Sequence, residues 1–260
     1  MRTFQVLDIP IGLLTMPEAV QKVGQWLRDE GSRRCRLVTF TNVHMVVEAR
    51  LKPEFREILC QTDLNCPDGS PLSWIGTALH GAQVSQVAGP DFMPLFCEQT
   101  ASQGYRHFLY GGGEGVARKT ARELVRRYPD IQIAGEYSPP FRQLSRQEDE
   151  QICRQINESG ADIVWVCLGC PKQEKWILEH RDLLNAKVIL AVGQAFDILA
   201  GVKPRAPKLL RRFGMEWAYR LIQEPGRLWK RYLFTNTLFM TWMFQSLLRS
   251  EIGRSSSGEP

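Results

Sequence analysis

Ile163-Val164-Trp165-Val166-Cys167-Leu168 runs without a polar break and stops at Gly169-Cys170-Pro171-Lys172-Gln173-Glu174-Lys175-Trp176. A run this short and this apolar reads as a strand covered on both faces, which belongs to a parallel sheet between helices. Gly169 supplies the turn. Pro171 then falls in the first turn of a helix expected over 171–184, where its missing N–H costs nothing. The pattern repeats outward from there. Downstream, 188–192 reads as a strand ending at Gly193. Upstream, a strand over 107–110 ends in Gly111, Gly112 and Gly113 and opens a helix over 114–128. Helices are expected over 43–51, 53–62, 90–102 and 145–159, and further strands over 36–40 and 131–134. Alternation of this kind predicts an α/β fold: a Rossmann-like parallel sheet body over 1–202 with a helical C-terminal appendage. Asp63 to Pro67, dense in turn formers, reads as a polar surface stretch leading into an Asp68-Gly69 turn.

A chain of 260 residues with 43% hydrophobic and 23% charged residues can bury a proper core and is not disordered by composition. Seven cysteines without a framework spacing suit a reducing compartment, and the first ten residues lack a secretory pattern, so a cytoplasmic location is expected. The net charge of +5 is uneven: 203–231 holds nine basic residues against Glu216 and Glu224, leaving the rest slightly negative. After this basic stretch, 232–248 is uncharged and rich in Leu, Phe, Met and Trp, but too short and too polar to span a bilayer. Residues 203–250 are therefore expected to form a basic, amphipathic appendage, and 251–260 a disordered tail. Trp165 and Trp176 read as core, whereas Trp229 and Trp242 suit an interface. No nucleic-acid partner is expected.

In an open α/β sheet, ligands bind beyond the carboxyl ends of the strands. The unusual residues stand there: Asn42, the Gly111 to Gly113 turn, Gly169 to Glu174, and Gly193 to Asp197. The triple glycine could cradle a diphosphate with its backbone N–H groups or be a tight turn only. Val116 occupies the place of the last glycine in the dinucleotide fingerprint, which disfavours a nicotinamide-dependent oxidoreductase. Asp68 could serve as a general base or simply form a turn. Cys167 and Cys170 form a CxxC without a second pair, and His44, His80, His107 and His180 are dispersed, so neither a protein-held metal nor a cofactor is expected.

Gly169 to Trp176, Val192-Gly193-Gln194-Ala195-Phe196-Asp197-Ile198-Leu199-Ala200-Gly201 and Arg205-Ala206-Pro207 together resemble the signature of the WecG/TagA/CpsF glycosyltransferase family. So do Glu216-Trp217-Ala218-Tyr219-Arg220-Leu221, Glu224-Pro225-Gly226-Arg227, Asp68-Gly69, Gly89-Pro90-Asp91 and the triple glycine, over about 4–232. The resemblance implies an inverting, metal-independent transferase. Its donor would be a UDP-sugar carrying N-acetylmannosamine, its uronic acid or glucuronic acid. Its acceptor would be a polyprenyl-diphosphate-linked saccharide, and its products would feed teichoic acid, enterobacterial common antigen or exopolysaccharide.

Carried across, Asp68 matches the base that deprotonates the acceptor hydroxyl, and Gln173 a residue at the sugar and acceptor site. Asn42 belongs to the pocket near the nucleotide, and Arg220 and Arg227 match appendage arginines that close over the diphosphate. Thr41, Gly69, Asp91, Gly111, Gly112, Gly113, Gly169, Lys172, Gly193, Asp197, Arg205 and Arg231 complete the expected substrate-binding set. The family's threonine two places before Asn42 is Phe40 here, leaving Thr39 or Thr41 as substitutes; Gln194 stands where glycine is common, and Lys230 replaces an arginine. A competing reading is a nucleotide- or lipid-binding regulatory module without catalysis. The appendage is expected to dock on an anionic membrane surface, at the cytoplasmic face, and to complete the site. Its bland alternative is a helix pair covering the sheet or a homo-oligomer interface.

Overall fold

The computed structural model describes residues 2–31, 34–81 and 83–255, with the backbone alone at Lys208, Arg212, Arg227 and 247–255. In chain order the elements are β1 (Thr3–Val6), β2 (Ile9–Gly12), α1 (Met16–Arg28), β3 (Arg36–Thr41), α2 (Val43–Leu51), α3 (Pro53–Gln61), β4 (Leu64–Pro67), α4 (Ser70–His80) and α5 (Gly89–Thr100). They continue with β5 (Arg106–Gly111), α6 (Val116–Arg127), β6 (Gln132–Tyr137), α7 (Arg146–Glu158), β7 (Ile163–Cys167), α8 (Lys172–Glu179), β8 (Val188–Ala191), α9 (Ala195–Leu199), α10 (Lys208–Arg212), α11 (Glu216–Gln223) and α12 (Pro225–Ser255).

Six strands form one parallel sheet in the order β4-β3-β8-β7-β5-β6, and β1 and β2 make a separate antiparallel hairpin. The central strands carry no exposed residue, as their apolar runs require: β7 and β8 are buried throughout. Side chains alternate between two cores. Val38, Leu109, Trp165 and Leu190 pack with α1, α5, α6 and α9 on one face. Leu37, Phe108, Tyr110, Val164 and Ile189 pack with α7 and α8 on the other. From β5 the chain crosses by α6 to the outer strand β6, whereas from β7 it crosses by α8 to β8 on the opposite side. β5 and β7 are neighbours, so a crevice opens between their carboxyl ends, at the reversal of direction where ligands bind in such sheets.

Three parts differ from the pattern read in the sequence. Before Arg36, where the patterning assigns no element, the hairpin and α1 are present. The helix start is marked by Thr15 and Glu18, whose carboxylate accepts from the Thr15 N–H at 2.7 Å and its hydroxyl at 2.8 Å. Asp63 to Pro67 is not a surface stretch: Leu64 to Pro67 is buried sheet, paired with β3. Asn65 is tolerated there because its whole amide is used. Its Oδ1 accepts from Thr39 and Thr62, each at 2.6 Å, and its Nδ2 donates to the Pro10 and Leu59 carbonyls at 2.9 and 2.8 Å. Finally, α12 reaches Ser255, through the first half of the expected tail, and 256–260 lie outside the described residues.

The appendage lies against the body. Phe239, with Leu238, Trp242 and Met243 beside it, packs on Met45, Val46 and Val47 of α2 and on the hairpin, in a third apolar cluster. Trp242 thus belongs to a core edge, with Arg50 over its ring at 5.6 Å, while Trp229 is about half exposed. Glu224 separates α11 from α12, so Arg220 and Arg231 are not on one continuous helix.

Candidate active site

The carboxyl ends of β4, β3, β5, β7 and β8 carry the turn residues quoted from the sequence, and the sheet brings them to one edge. Asp68 follows β4, with its N–H bonded to the Thr41 carbonyl at 2.7 Å. Gly69 after it has φ +110°, a backbone shape an L side chain resists, and opens α4. Asp68 is therefore held by backbone on both sides. Recession in the protein and the Glu216 carboxylate push its pKa up to about 7, and Arg205, Arg220 and a hydrogen bond from Gln86 only partly oppose them. A carboxylate balanced near neutrality, with arginines within electrostatic reach, is what a general base needs.

Arg205 is the centre of the arginine side. Its Nη2 donates to Asp91 Oδ2 at 2.6 Å, and Arg211 Nη1 donates to Asp91 Oδ1 at 2.8 Å. Asp91 thus clamps the start of the appendage to the first turn of α5, and its carboxylate is spent on that clamp. The Arg205 Nε, 3.8 Å from Glu216 Oε1, and Nη1 are buried and have no hydrogen-bond partner among the described residues. Unsatisfied guanidinium donors are costly unless an acceptor comes to them. They border a pocket shared with Gln194, Lys203, Glu216, Arg220 and Glu224. Lys203 reaches Glu224 at 3.1 Å and Asp197 at 3.5 Å, so Asp197 also braces the appendage.

At the β5 end, Gly111 (φ +121°) and Gly112 (φ +74°) fold the chain against β7, with the Gly112 N–H bonded to the Cys167 carbonyl at 2.7 Å. A Cβ on Gly111 would lie 2.4 Å from that carbonyl oxygen, so only glycine fits. Gly113 has ordinary backbone and open space. Gly169 and Gly193 turn at φ +76° and +59° with nothing near them, leaving room beyond β7 and β8.

Gln173 lies at the floor, buried, with its amide engaged at both ends. Its Oε1 accepts from the Gly169 N–H at 3.2 Å, and its Nε2 donates to Glu174 Oε1 at 2.8 Å and the Ala191 carbonyl at 3.3 Å. It ties β7, β8 and the turn between them. Thr41 is likewise beneath the crevice, fully buried, with its hydroxyl 3.0 Å from that of Thr39. Asn42 caps α2, accepting from the Met45 N–H at 3.2 Å. Lys172 is exposed, with its ammonium 6.0 Å from the Phe141 ring. Arg231 lies over the Tyr232 ring with a buried Nε that makes no hydrogen bond among the described residues, and its charge acts on His44 and Cys170. The Arg227 side chain lies outside the described residues.

Sequence reasoning missed three participants. Glu174, fully buried, has its pKa raised to about 7 by burial, and its Oε2 has no hydrogen-bond partner among the described residues. Gln86 and Glu216 reach Asp68 from the segment before α5 and from α11, respectively, separations no local spacing reveals.

A parallel sheet with a poised carboxylate, arginine donors and glycine turns at one carboxyl edge has the form of an α/β enzyme with its ligand crevice at that edge. The chain belongs to the Glycosyl transferase WecG/TagA/CpsF family, which it matches over residues 4–253. It is similar to the N-acetylglucosaminyldiphosphoundecaprenol N-acetyl-beta-D-mannosaminyltransferase of Bacillus spizizenii (strain W23), with 31% identity over 75% of this chain and 74% of that one. With the Bacillus subtilis (strain 168) protein of the same name, identity is 30% over 76% of this chain and 75% of the relative. The recognised motifs and the match agree, and the chain is a glycosyltransferase.

Proposed function

We propose that the protein transfers N-acetylmannosamine, or a closely related sugar, from UDP to a polyprenyl-diphosphate-linked saccharide at a membrane surface. The observation that carries the reading is Asp68, held near neutral pKa between Glu216 and the arginines Arg205 and Arg220. The relatives' printed names supply the sugar and the lipid acceptor.

In this account Asp68 takes the proton from the acceptor hydroxyl as its oxygen attacks the anomeric carbon. The bond to UDP breaks on the opposite face, which inverts that centre. The leaving diphosphate is met by the Arg205 donors that make no hydrogen bond among the described residues, by Arg220, and by the N–H groups of the glycine turn. Charge neutralised in this way needs no Mg²⁺ or Mn²⁺. Gln173 and Glu174 hold the turn that shapes the floor and act through it. Asp91, with Arg211, keeps Arg205 in place.

Membrane contact is assigned to the outer face of α12. Trp229, Leu233, Met240 and Phe244 are exposed at spacings that keep them on one stripe, opposite Leu228, Thr235 and Phe239, which are buried. In the sequence the basic stretch 203–231 leads directly into that helix face. Among the described residues no helix is long and apolar enough to cross a membrane. The exposed stripe and the basic stretch support a peripheral contact at the cytoplasmic leaflet, at about 1 kcal/mol per basic residue near anionic lipid.

The test is a donor panel: UDP-N-acetylmannosamine, its uronic acid and UDP-glucuronic acid, each with a polyprenyl-diphosphate-linked N-acetylglucosamine and no added divalent metal. Acceptor-dependent UDP release is expected with the first. UDP binding without turnover of any donor would mark a non-catalytic binding module instead. A strict need for added Mg²⁺ or Mn²⁺ would overturn the arginine account of the leaving group.

A further inference from the structure

Between α7 and the end of α8, three side chains of metal-ligand type converge. Asp149 and Cys153 stand four residues apart on one face of α7, and His180 caps the end of α8. Their donor atoms all lie within 4.8 Å of one another, and among the described residues no other such group occurs. His180 and Cys153 are buried; Asp149 is open to solvent on one side, with a side-chain exposure of 35%.

The histidine decides what this cluster needs. Its Nδ1 is 2.8 Å from the Trp176 carbonyl, which can only accept, so Nδ1 carries a proton. The ring is fixed in that pose by stacking on Trp176, with centroids 4.1 Å apart and planes 16° apart. In the neutral ring, Nε2 is then a bare lone pair, yet it faces Asp149 Oδ2 at 2.9 Å. Two lone pairs at that distance require a cation between them: a second proton or a metal ion. An imidazole that donates its far N–H to a backbone carbonyl while presenting Nε2 inward has the supporting hydrogen bond usual for a histidine that binds metal.

We propose that Asp149, Cys153 and His180 form a Zn²⁺ site that staples α7 to the end of α8. One nitrogen, one sulfur and one oxygen, with solvent at the Asp149 side for a fourth, match the tetrahedral preference of zinc. Bond lengths of about 2.0–2.3 Å put ligand atoms roughly 3.3–3.8 Å apart, so the group closes on the ion with small side-chain shifts. The Cys153 thiol, pushed up to about 11 by burial and by Asp149, is protonated on its own. Binding the ion replaces that S–H proton with a Zn–S bond and releases the proton to solvent. Gln173 and His180 stand at opposite ends of α8, roughly 10 Å apart at 1.5 Å per residue, so the ion has no part in sugar transfer. The staple instead fixes the helix that carries Gln173 and Glu174.

Titration of the chelator-treated full chain with Co²⁺ reads the site directly through its thiolate-to-cobalt absorption. The wild type should take up one Co²⁺ per chain with that band, displaced by Zn²⁺, and Zn²⁺ should raise its Tm. Cys153→Ser should lose the band and the Tm rise while keeping the same circular dichroism spectrum. Asp149→Asn should weaken uptake by at least ten-fold. No uptake by the wild type would overturn the site and leave a proton shared between His180 and Asp149. A band surviving in Cys153→Ser would overturn it too, placing the metal on one of the other cysteines.

Discussion

At the scale of single residues, two acids with raised pKa values, Asp68 and Glu174, have titrations with separable readouts. Asp68 acts as base only when ionised, so transfer should rise with pH and level off above about 7, the pKa its surroundings impose. A rate already flat from pH 5.5 upward would contradict that role. Glu174 reads out in stability. Its folded pKa, about 7, lies above the ordinary glutamate value of 4.5, so the folded state holds its proton more tightly than the unfolded chain does. That contribution is fully present below about pH 4.5 and is lost as pH rises to about 7, a change of up to ~3 kcal/mol. Glu174→Gln, which keeps the amide-like shape and removes the charge, should flatten the pH dependence of the melting temperature and raise stability at pH 8. An unchanged melting profile would mean that the carboxyl is not desolvated. Asp68 stood out in the sequence because an Asp-Gly pair beside a strand end is a local signal. Glu174 did not, because its burial depends on how α8 packs against the sheet.

Elements show why some parts of the chain are legible and others are not. The strands β3, β5, β7 and β8 are read correctly from contiguous apolar residues, since burial on both faces leaves no other composition. β4 is missed because Asn65 and Pro67 are turn formers in isolation, and only the Thr39, Thr62, Pro10 and Leu59 partners make Asn65 a core residue. α1 is announced only by its capping pair. The glycine turn after β5 splits into two roles that substitution separates. Gly111→Ala puts a Cβ 2.4 Å from the Cys167 oxygen at φ +121°, and should cost about 2 kcal/mol or more of stability. Gly113→Ala meets nothing closer than 3.7 Å and should leave stability within about 0.5 kcal/mol. If the turn amides cradle the diphosphate, Gly113→Ala still weakens UDP binding; unchanged affinity in calorimetry would remove that loop from the donor site.

The whole molecule joins an α/β body to a helix with two apolar faces. The inner face covers α2 and the hairpin, which sequence periodicity could not assign, since both faces of α12 carry Leu, Phe and Trp. Deleting the appendage would therefore expose part of the core, and substitutions on the outer stripe test membrane contact more cleanly. Leu233→Gln with Met240→Gln should keep the fold and the melting temperature but lose most binding to vesicles containing anionic lipid. Wild-type binding should weaken as salt is raised, because the basic stretch of 203–231 is screened. Wild-type protein that ignores anionic vesicles at low salt would leave the outer stripe to contact between copies of the chain.

The central claim is that sugar transfer depends on a base at Asp68, and single-turnover transfer by Asp68→Asn tests it most directly. The substitution keeps the size of the side chain and the bend before Gly69 while removing the basic oxygen. With donor prebound and acceptor in excess, the account predicts a chemical step slowed by about 10²-fold or more, with UDP affinity within a few-fold of wild type. A variant that transfers sugar at a rate within a few-fold of wild type would contradict it.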